Sequence, residues 1–150
     1  EPGKRTPIFK LAHLRLAILL CSDLWFPGLV RQASKDADFI AVPAMTTVLN
    51  QRHIAYGRWA WHSLVVVRSK ENAIPIVSAD HAVGVYTSGI YTCGASCIAD
   101  PSHRFDDEEG PHTQALKVVD PKSQAAIVST ISQESIEEYK AYRRRVGLLK

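Results

Sequence analysis

The sequence has few cysteines, little net charge and no long apolar run, and each shortage excludes a class of protein. Its three cysteines are an odd number, which argues against a disulfide framework and favours a reducing compartment, so we expect a cytoplasmic protein. The net charge of +3 is mild and the basic residues are mostly scattered, so nucleic acid is not an expected partner. The apolar stretch from Leu11 to Leu20 is interrupted by polar residues and is too short to cross a membrane, so no membrane partner is expected.

The residues that are present suit one globular domain. Hydrophobic side chains make up 46% of the 150 positions, which is enough for a sizeable core. No repeat, low-complexity tract or linker divides the chain. We therefore expect a single domain over residues 1–150.

Apolar periodicity predicts alternating strands and helices in the first half of the chain. The expected strands cover 14–20, 38–44 and 74–79, and the expected helices cover 26–36 and 51–71. An irregular lead-in is expected at 1–10 and a loop at 45–50. This order predicts a layered α/β domain with short right-handed crossovers.

The second half is richer in Gly, Ser, Thr and Tyr, which favours short strands and turns. The predicted elements are strands at 84–87 and 95–99, a loop at 101–113, a hairpin of strands at 114–119 and 125–131, and a final helix at 133–145. Ser132 is the expected N-cap of that helix. Its charges run from acidic to basic along the chain, which complements the helix dipole.

The first apolar strand stops abruptly at Cys21. Ser22 and Asp23 favour a turn, and Pro27 is suited to the first turn of a helix that begins near Phe26. A cysteine at the end of an apolar strand is by itself more often a small core side chain. A sharp strand-to-helix turn, however, exposes the side chain beside free backbone N–H groups, which favour a thiolate and stabilise an oxyanion.

The segment Cys-Ser-Asp-Leu-Trp-Phe-Pro-Gly at 21–28 resembles the nucleophile segment of the nitrilase, or carbon-nitrogen hydrolase, superfamily. In that family Cys, an aromatic residue, Asp, two variable residues and Phe-Pro-Glu follow a hydrophobic strand. Three later segments, at 37–43, 61–72 and 94–101, resemble family segments in the same order. The resemblance covers about residues 14–142 and identifies Cys21 as the position of the family nucleophile.

The resemblance implies the fold and the missing parts of the site. The family domain is an αββα sandwich, and this chain resembles its C-terminal half, a mixed sheet covered by helices on one face. The family's Glu, Lys and second Glu precede the cysteine strand, so the portion that bears them is absent from this chain. The strands at 16–20 and 39–42 are apolar on both faces and need cover on both sides. The expected partner is therefore the missing amino-terminal half or a second copy of the chain.

Three departures from the family pattern lie near the cysteine. Gly28 replaces a Glu, Trp25 replaces a residue that is often Arg, and Ser22 replaces an aromatic residue. The backbone N–H of Ser22 is the expected oxyanion donor. Trp25, Met45 and Thr46 are the remaining candidates for pocket contacts.

The expected function is hydrolysis of a non-peptide C–N bond in an amide, carbamoyl or nitrile substrate, through a thioester at Cys21. The mechanism requires no cofactor and no metal. We expect the chain to be inactive without the missing half. Two alternatives stay open: a catalytically idle half-domain that serves binding or assembly, and the N-acyltransferase branch of the same superfamily.

Two other constellations are weaker. The first is a metal site, whose candidate ligands are Cys93, Cys97, His81, Asp100 and His103. Its Cys-x-x-x-Cys spacing is not the usual knuckle, and no second pair exists. The second is a protease-like pairing of Cys21 with a histidine, for which His62, His81 and His112 are equal candidates.

Overall fold

The computed structural model describes residues 6–102 and 116–149, and it arranges them as two sheets with three α-helices. The strands are β1 (Ile8–Leu11), β2 (Leu14–Ile18), β3 (Phe39–Pro43), β4 (Thr47–Val48), β5 (Ile76–Ala79), β6 (Gly84–Thr87), β7 (Ile90–Thr92), β8 (Cys97–Ala99) and β9 (Leu116–Val118). The helices are α1 (Pro27–Ser34), α2 (Ile54–Asn72) and α3 (Gln133–Arg145). Short 3₁₀ turns cover Cys21–Trp25 and Gln51–His53.

The larger sheet has six strands in the order β1-β2-β3-β5-β8-β9. Its central strands β2, β3 and β5 are parallel, and the flanking strands pair antiparallel. The carboxyl ends of the three parallel strands therefore meet at one edge of the sheet. The segments that follow them begin near Cys21, Ala44 and Asp80, so this edge is the place where distant parts of the chain come together.

Helices α1 and α2 cover one face of this sheet. Ile40 and Ile76 point into that side and are completely buried, as is Val30 of α1. On α2, Trp61 is 3% exposed and its indole Nε1 donates to Ser78 Oγ at 2.9 Å. The core therefore lies between these two helices and the parallel strands, which confirms the predicted α/β fold with a mixed sheet.

The opposite face of the sheet is apolar and only partly covered. Strand alternation places Phe9 and Leu11 of β1 on this face, beside Leu16 of β2. Phe9 is 44% exposed and Leu11 is 51% exposed. Helix α3 also lies against this second face. Between the helix and the sheet, Ile136 and Val77 line a groove of about 500 Å³. The strands thus keep an apolar surface that the described residues do not close.

Four elements differ from the sequence-based prediction. The predicted irregular lead-in at 1–10 is wrong, because Ile8–Leu11 pairs with β2 as an antiparallel strand. The predicted loop at 45–50 contains β4, which pairs with the unpredicted β7. The predicted strand at 125–131 is also wrong: β9 pairs with β8 instead, and 125–131 has no ladder partner among the described residues. A strand without a partner leaves its backbone groups unpaired, so its β-prone sequence is not enough.

The other predicted elements are confirmed within small shifts of their ends. Helix α3 matches the predicted 133–145, and Ser132 Oγ accepts the N–H of Ser135 at 3.2 Å as its cap. The β-branched run 65–67 stays helical within α2, where Val65 is completely buried and Val67 is 47% exposed. The predicted loop at 101–113 lies outside the described residues from 103 onward. None of the described helices is long and apolar enough to span a membrane.

Candidate active site

Cys21 begins a five-residue 3₁₀ turn, and two residues separate it from the end of β2 at Ile18. Its φ angle is +39°, in the left-handed region that residues other than glycine rarely adopt and that costs about 1–3 kcal/mol. As predicted, the chain turns sharply at this point and leaves the thiol half-buried at the edge of the sheet. Helix α1 begins only at Pro27, so the first backbone N–H groups beside the thiol belong to the 3₁₀ turn and not to that helix.

Asp23 holds the turn in place from within. Its backbone N–H donates to Leu20 O at 2.8 Å, and its carboxylate accepts the N–H of Leu20 at 2.9 Å. These reciprocal bonds close the turn around the cysteine. Because the first bond of the 3₁₀ turn is the one from Asp23, the N–H groups of Cys21 and Ser22 are not used by it and remain available to an oxyanion.

Arg68 of α2 holds the far end of the same turn. Its Nε donates to Leu24 O at 3.0 Å and its Nη2 to Trp25 O at 3.5 Å. The remaining nitrogen, Nη1, pairs with Glu71 at 2.7 Å. The Arg68 side chain is only 12% exposed, so the Arg68–Glu71 pair is more than the ordinary surface pair that its spacing suggests. Through these bonds Arg68 connects the cysteine turn to α2, the longest of the described helices.

The loop after β3 forms the wall beside the thiol. Met45 O lies 3.9 Å from Cys21 Sγ and accepts its hydrogen. Thr46 donates its backbone N–H to Asp80 Oδ1 at 3.0 Å and its hydroxyl to Asp80 Oδ2. The structure therefore brings Cys21 and the predicted pocket residues Met45 and Thr46 together, at the edge where the parallel strands end.

The other predicted pocket residues lie in the cysteine turn itself. Ser22 is exposed, and the indole of Trp25 is 55% exposed. Gly28 follows in α1, and a Cβ built there would meet no atom within 4 Å. Packing therefore does not demand glycine at the position where the resembling family carries Glu.

The two remaining cysteines are unsuited to act as nucleophiles. Cys93 and Cys97 are completely buried and form no disulfide. Burial raises the pKa of the Cys93 thiol, and it raises the pKa of Cys97 to about 12. Both thiols therefore stay protonated near neutral pH. The candidate metal site is not found in the part of the chain that the structure describes, where no group of three or more His, Cys, Asp or Glu side chains could hold a metal ion.

The histidine pairing is not formed among the residues that the structure describes. There the thiol of Cys21 bonds to the Met45 carbonyl, and no His, Glu or Lys side chain bonds to it. The Nε2 atom of His62 is buried without a hydrogen-bond partner, and burial lowers the pKa of this imidazole. His103 and His112 lie outside the described residues.

Sequence reasoning missed three residues that shape this site: Asp23 as a brace, Arg68 and Asp80. Asp80 had one usable signal, because it directly follows the third parallel strand and such positions meet at one edge of a sheet. Arg68 lies in the segment at 61–72 that resembles the family, but nothing in that pattern indicated its contact with Leu24, which joins residues 44 positions apart.

Comparison with known proteins gives one family and several similar folds. The sequence model described as Carbon-nitrogen hydrolase matches residues 1–141. The structure of Saccharomyces cerevisiae Nit3, a member of branch 10 of the nitrilase superfamily, superposes with a TM-score of 0.72 at 20% identity, covering 100% of this chain and 48% of that chain. At this identity the likeness establishes the fold. The comparison with curated proteins found no significant match.

A second solved relative is an amidase from Nesterenkonia sp. AN1. It matches with a TM-score of 0.53 at 25% identity, covering 67% of this chain and 37% of that chain. In one variant of that amidase, the acetamide moiety of fluoroacetamide is covalently added at the active site cysteine. The present chain thus spans about half the length of the yeast protein and just over a third of the amidase.

Proposed function

Because the chain belongs to the carbon-nitrogen hydrolase family, we propose that it carries the nucleophile of an enzyme that hydrolyses a non-peptide C–N bond through a thioester at Cys21. The substrate would be a small amide, carbamoyl compound or nitrile. The observation that carries this proposal is the backbone of Cys21, a non-glycine residue held at φ +39° by Asp23 on one side and Arg68 on the other. A side chain that only packs does not need such a brace.

The geometry supports the first bond-forming step. For an amide, the Cys21 thiolate attacks the carbonyl carbon, and the oxygen that becomes negative would accept the N–H of Ser22. The C–N bond then breaks, and the nitrogen leaves with one proton as an amine. Water next attacks the thioester, which releases a carboxylic acid and regenerates the thiol at Cys21.

The proton transfers need groups that the described residues do not place at Cys21. The thiol's hydrogen-bond partner is the Met45 carbonyl, which accepts a hydrogen bond but cannot act as a general base. The family resemblance attributes these roles to a Glu, a Lys and a second Glu that precede the cysteine strand. We therefore propose that the chain alone is inactive and that catalysis requires the amino-terminal half of the domain.

The open face of the large sheet supports the same partner. Phe9, Leu11 and Leu14 expose apolar surface on that face, and each is more than a third exposed. Contiguous apolar surface of this kind is typical of an interface. We propose that the sheet of the amino-terminal half covers it, with a second copy of this chain as the alternative occupant.

Selective alkylation of Cys21 tests its role as a nucleophile. We expect iodoacetamide at neutral pH to modify Cys21 and to spare Cys93 and Cys97, because both are buried with raised pKa values. Mass spectrometry of the peptides gives the rate at each cysteine. In the control variant Cys21→Ala/Gln32→Cys, the thiol sits on the exposed side of α1, and we expect Cys21 to react several-fold faster than this surface cysteine.

Two results would refute the nucleophile assignment. One is a Cys21 rate no higher than that of the cysteine introduced at position 32. The other is equal modification of Cys93 or Cys97 in the folded protein. Either result would favour the idle binding or assembly module.

A further inference from the structure

One peptide unit joins the thiol of Cys21 to the carboxylate of Asp80. The C=O of Met45 accepts from Cys21 Sγ, and the N–H of Thr46 donates to Asp80 Oδ1 at 3.0 Å. These two groups belong to the same peptide bond. Because a trans peptide is planar and its C=O and N–H point in opposite directions, a bond that fixes the N–H also fixes the direction of the carbonyl.

The carboxylate of Asp80 is fully engaged around this peptide. Oδ1 also accepts the N–H of His81 at 2.9 Å, and Oδ2 accepts the hydroxyl of Thr46 and the N–H of Ala95, the latter at 2.9 Å. A carboxylate that accepts four bonds has no freedom to rotate without breaking several of them. Asp80 is therefore a rigid acceptor.

The backbone of Asp80 is fixed as well. Its N–H donates to Ser96 Oγ at 2.8 Å, and the same hydroxyl donates to Asp80 O at 3.0 Å. Asp80 follows β5, whose last residue, Ala79, accepts the N–H of Ala44 at 2.8 Å. The acceptor and the loop that it holds are thus both anchored to the parallel core of the sheet.

Thr46 is also held on its carbonyl side, where its oxygen accepts the N–H of Cys93 at 3.0 Å. This bond would keep the loop near β7 if the Asp80 bonds were lost. It lies on the peptide that follows Thr46, so it does not determine which way the Met45 carbonyl points. That orientation depends on the bond from Thr46 N–H to Asp80.

We propose that Asp80 is a positioning residue for Cys21: through the N–H of Thr46 it directs the Met45 carbonyl at the thiol and so orients the nucleophile. Asp80 itself does not touch the sulfur. The hydrogen bonds from Cys21 to the Met45 carbonyl and from Thr46 to Asp80 exist in the resting protein. Only the statement that they orient a nucleophile rests on the proposed function of Cys21. Asp80 joins the site from a position 59 residues after the cysteine in the chain.

The S–H stretching band of Cys21 in the infrared spectrum tests this orientation. The band of Cys21 is identified as the one that disappears in Cys21→Ala, since Cys93 and Cys97 contribute bands of their own. A hydrogen-bonded S–H absorbs at lower frequency than a free one. We expect Asp80→Ala to move the Cys21 band to higher frequency and to broaden it, because the Met45 carbonyl is no longer fixed.

Two variants separate positioning from general stability. Thr46→Ala removes the hydroxyl bond to Asp80 but keeps the backbone N–H bond, so we expect the band to stay at the wild-type frequency. Asp80→Asn keeps an oxygen that can accept the N–H of Thr46 but places an NH₂ group against the N–H of Ala95. We therefore expect Asp80→Asn to unfold at a lower temperature and yet to retain the wild-type band.

An unchanged Cys21 band in folded Asp80→Ala would overturn the proposal, as would an equal shift in Thr46→Ala. If Asp80→Ala does not fold, Asp80→Ser takes its place, because the serine side chain is too short to reach the N–H of Thr46. The proposed function fails separately: a Cys21 that alkylates no faster than a surface cysteine refutes the nucleophile but leaves the band shift unaffected.

Discussion

Replacing Arg68 by alanine is expected to lower the free energy of unfolding by about 2–3 kcal/mol and to slow the alkylation of Cys21 to the rate of a surface cysteine. The guanidinium donates to Leu24 O and Trp25 O, and Leu24 is completely buried. Loss of the donor leaves a shielded carbonyl without a partner, which costs about 1–3 kcal/mol. The lost packing of the long side-chain stem adds to this cost.

Glu71→Gln is the matched control for Arg68→Ala. Glu71 is 43% exposed and contacts Arg68 through the 2.7 Å ion pair, so its neutral replacement leaves both bonds to the cysteine turn intact. We expect a much smaller change in unfolding free energy and normal Cys21 alkylation. Chemical denaturation gives the stability of both variants. Equal losses in the two would show that the ion pair, and not the grip on the turn, is the important contact.

Joining the chain to the amino-terminal half of the domain is expected to produce amide hydrolysis that neither part shows alone. An amino-terminal half of a carbon-nitrogen hydrolase domain, supplied by co-expression or by fusion ahead of residue 1, is expected to bring the Glu and Lys residues and to cover the open sheet face. In the assembled protein, Cys21→Ala is expected to reduce kcat/KM by at least about 10³-fold, because no thioester can form. Light scattering measures the assembly and ammonia release measures the hydrolysis.

The matched control for this loss is Cys93→Ala. The Cys93 thiol is completely buried and has a raised pKa, so its removal is expected to affect stability more than kcat/KM. Assembly with no hydrolysis, in a protein whose Cys21 is intact, would contradict the proposed activity and favour the binding or assembly module. Hydrolysis by residues 1–150 alone would contradict the proposed need for an amino-terminal half.

The position of Cys21 was predictable because its signals are local. An apolar run, a polar pair and Pro27 lie within a few residues of one another, and together they predict a strand, a turn and a helix start. The same is true of the final helix with its Ser132 cap. Both predictions are confirmed, apart from the short 3₁₀ turn between Cys21 and α1.

The brace around Cys21 was not predictable in the same way. The contacts of Arg68 and Asp80 join segments that are 34 to 44 positions apart, and no periodicity within one element encodes such pairs. The failed strand at 125–131 has the related cause that a strand exists only with a partner. Its residues have high β propensity, but a strand forms only where a neighbouring strand can pair with its backbone.

The thioester at Cys21 is detected by the mass of the Cys21 peptide from the assembled protein, quenched with acid during turnover of a small primary amide. We expect an acyl group on Cys21 that hydroxylamine removes and that is absent from Cys21→Ala. An unmodified Cys21 during steady hydrolysis, or hydrolysis at the wild-type rate in Cys21→Ala, would contradict the thioester mechanism.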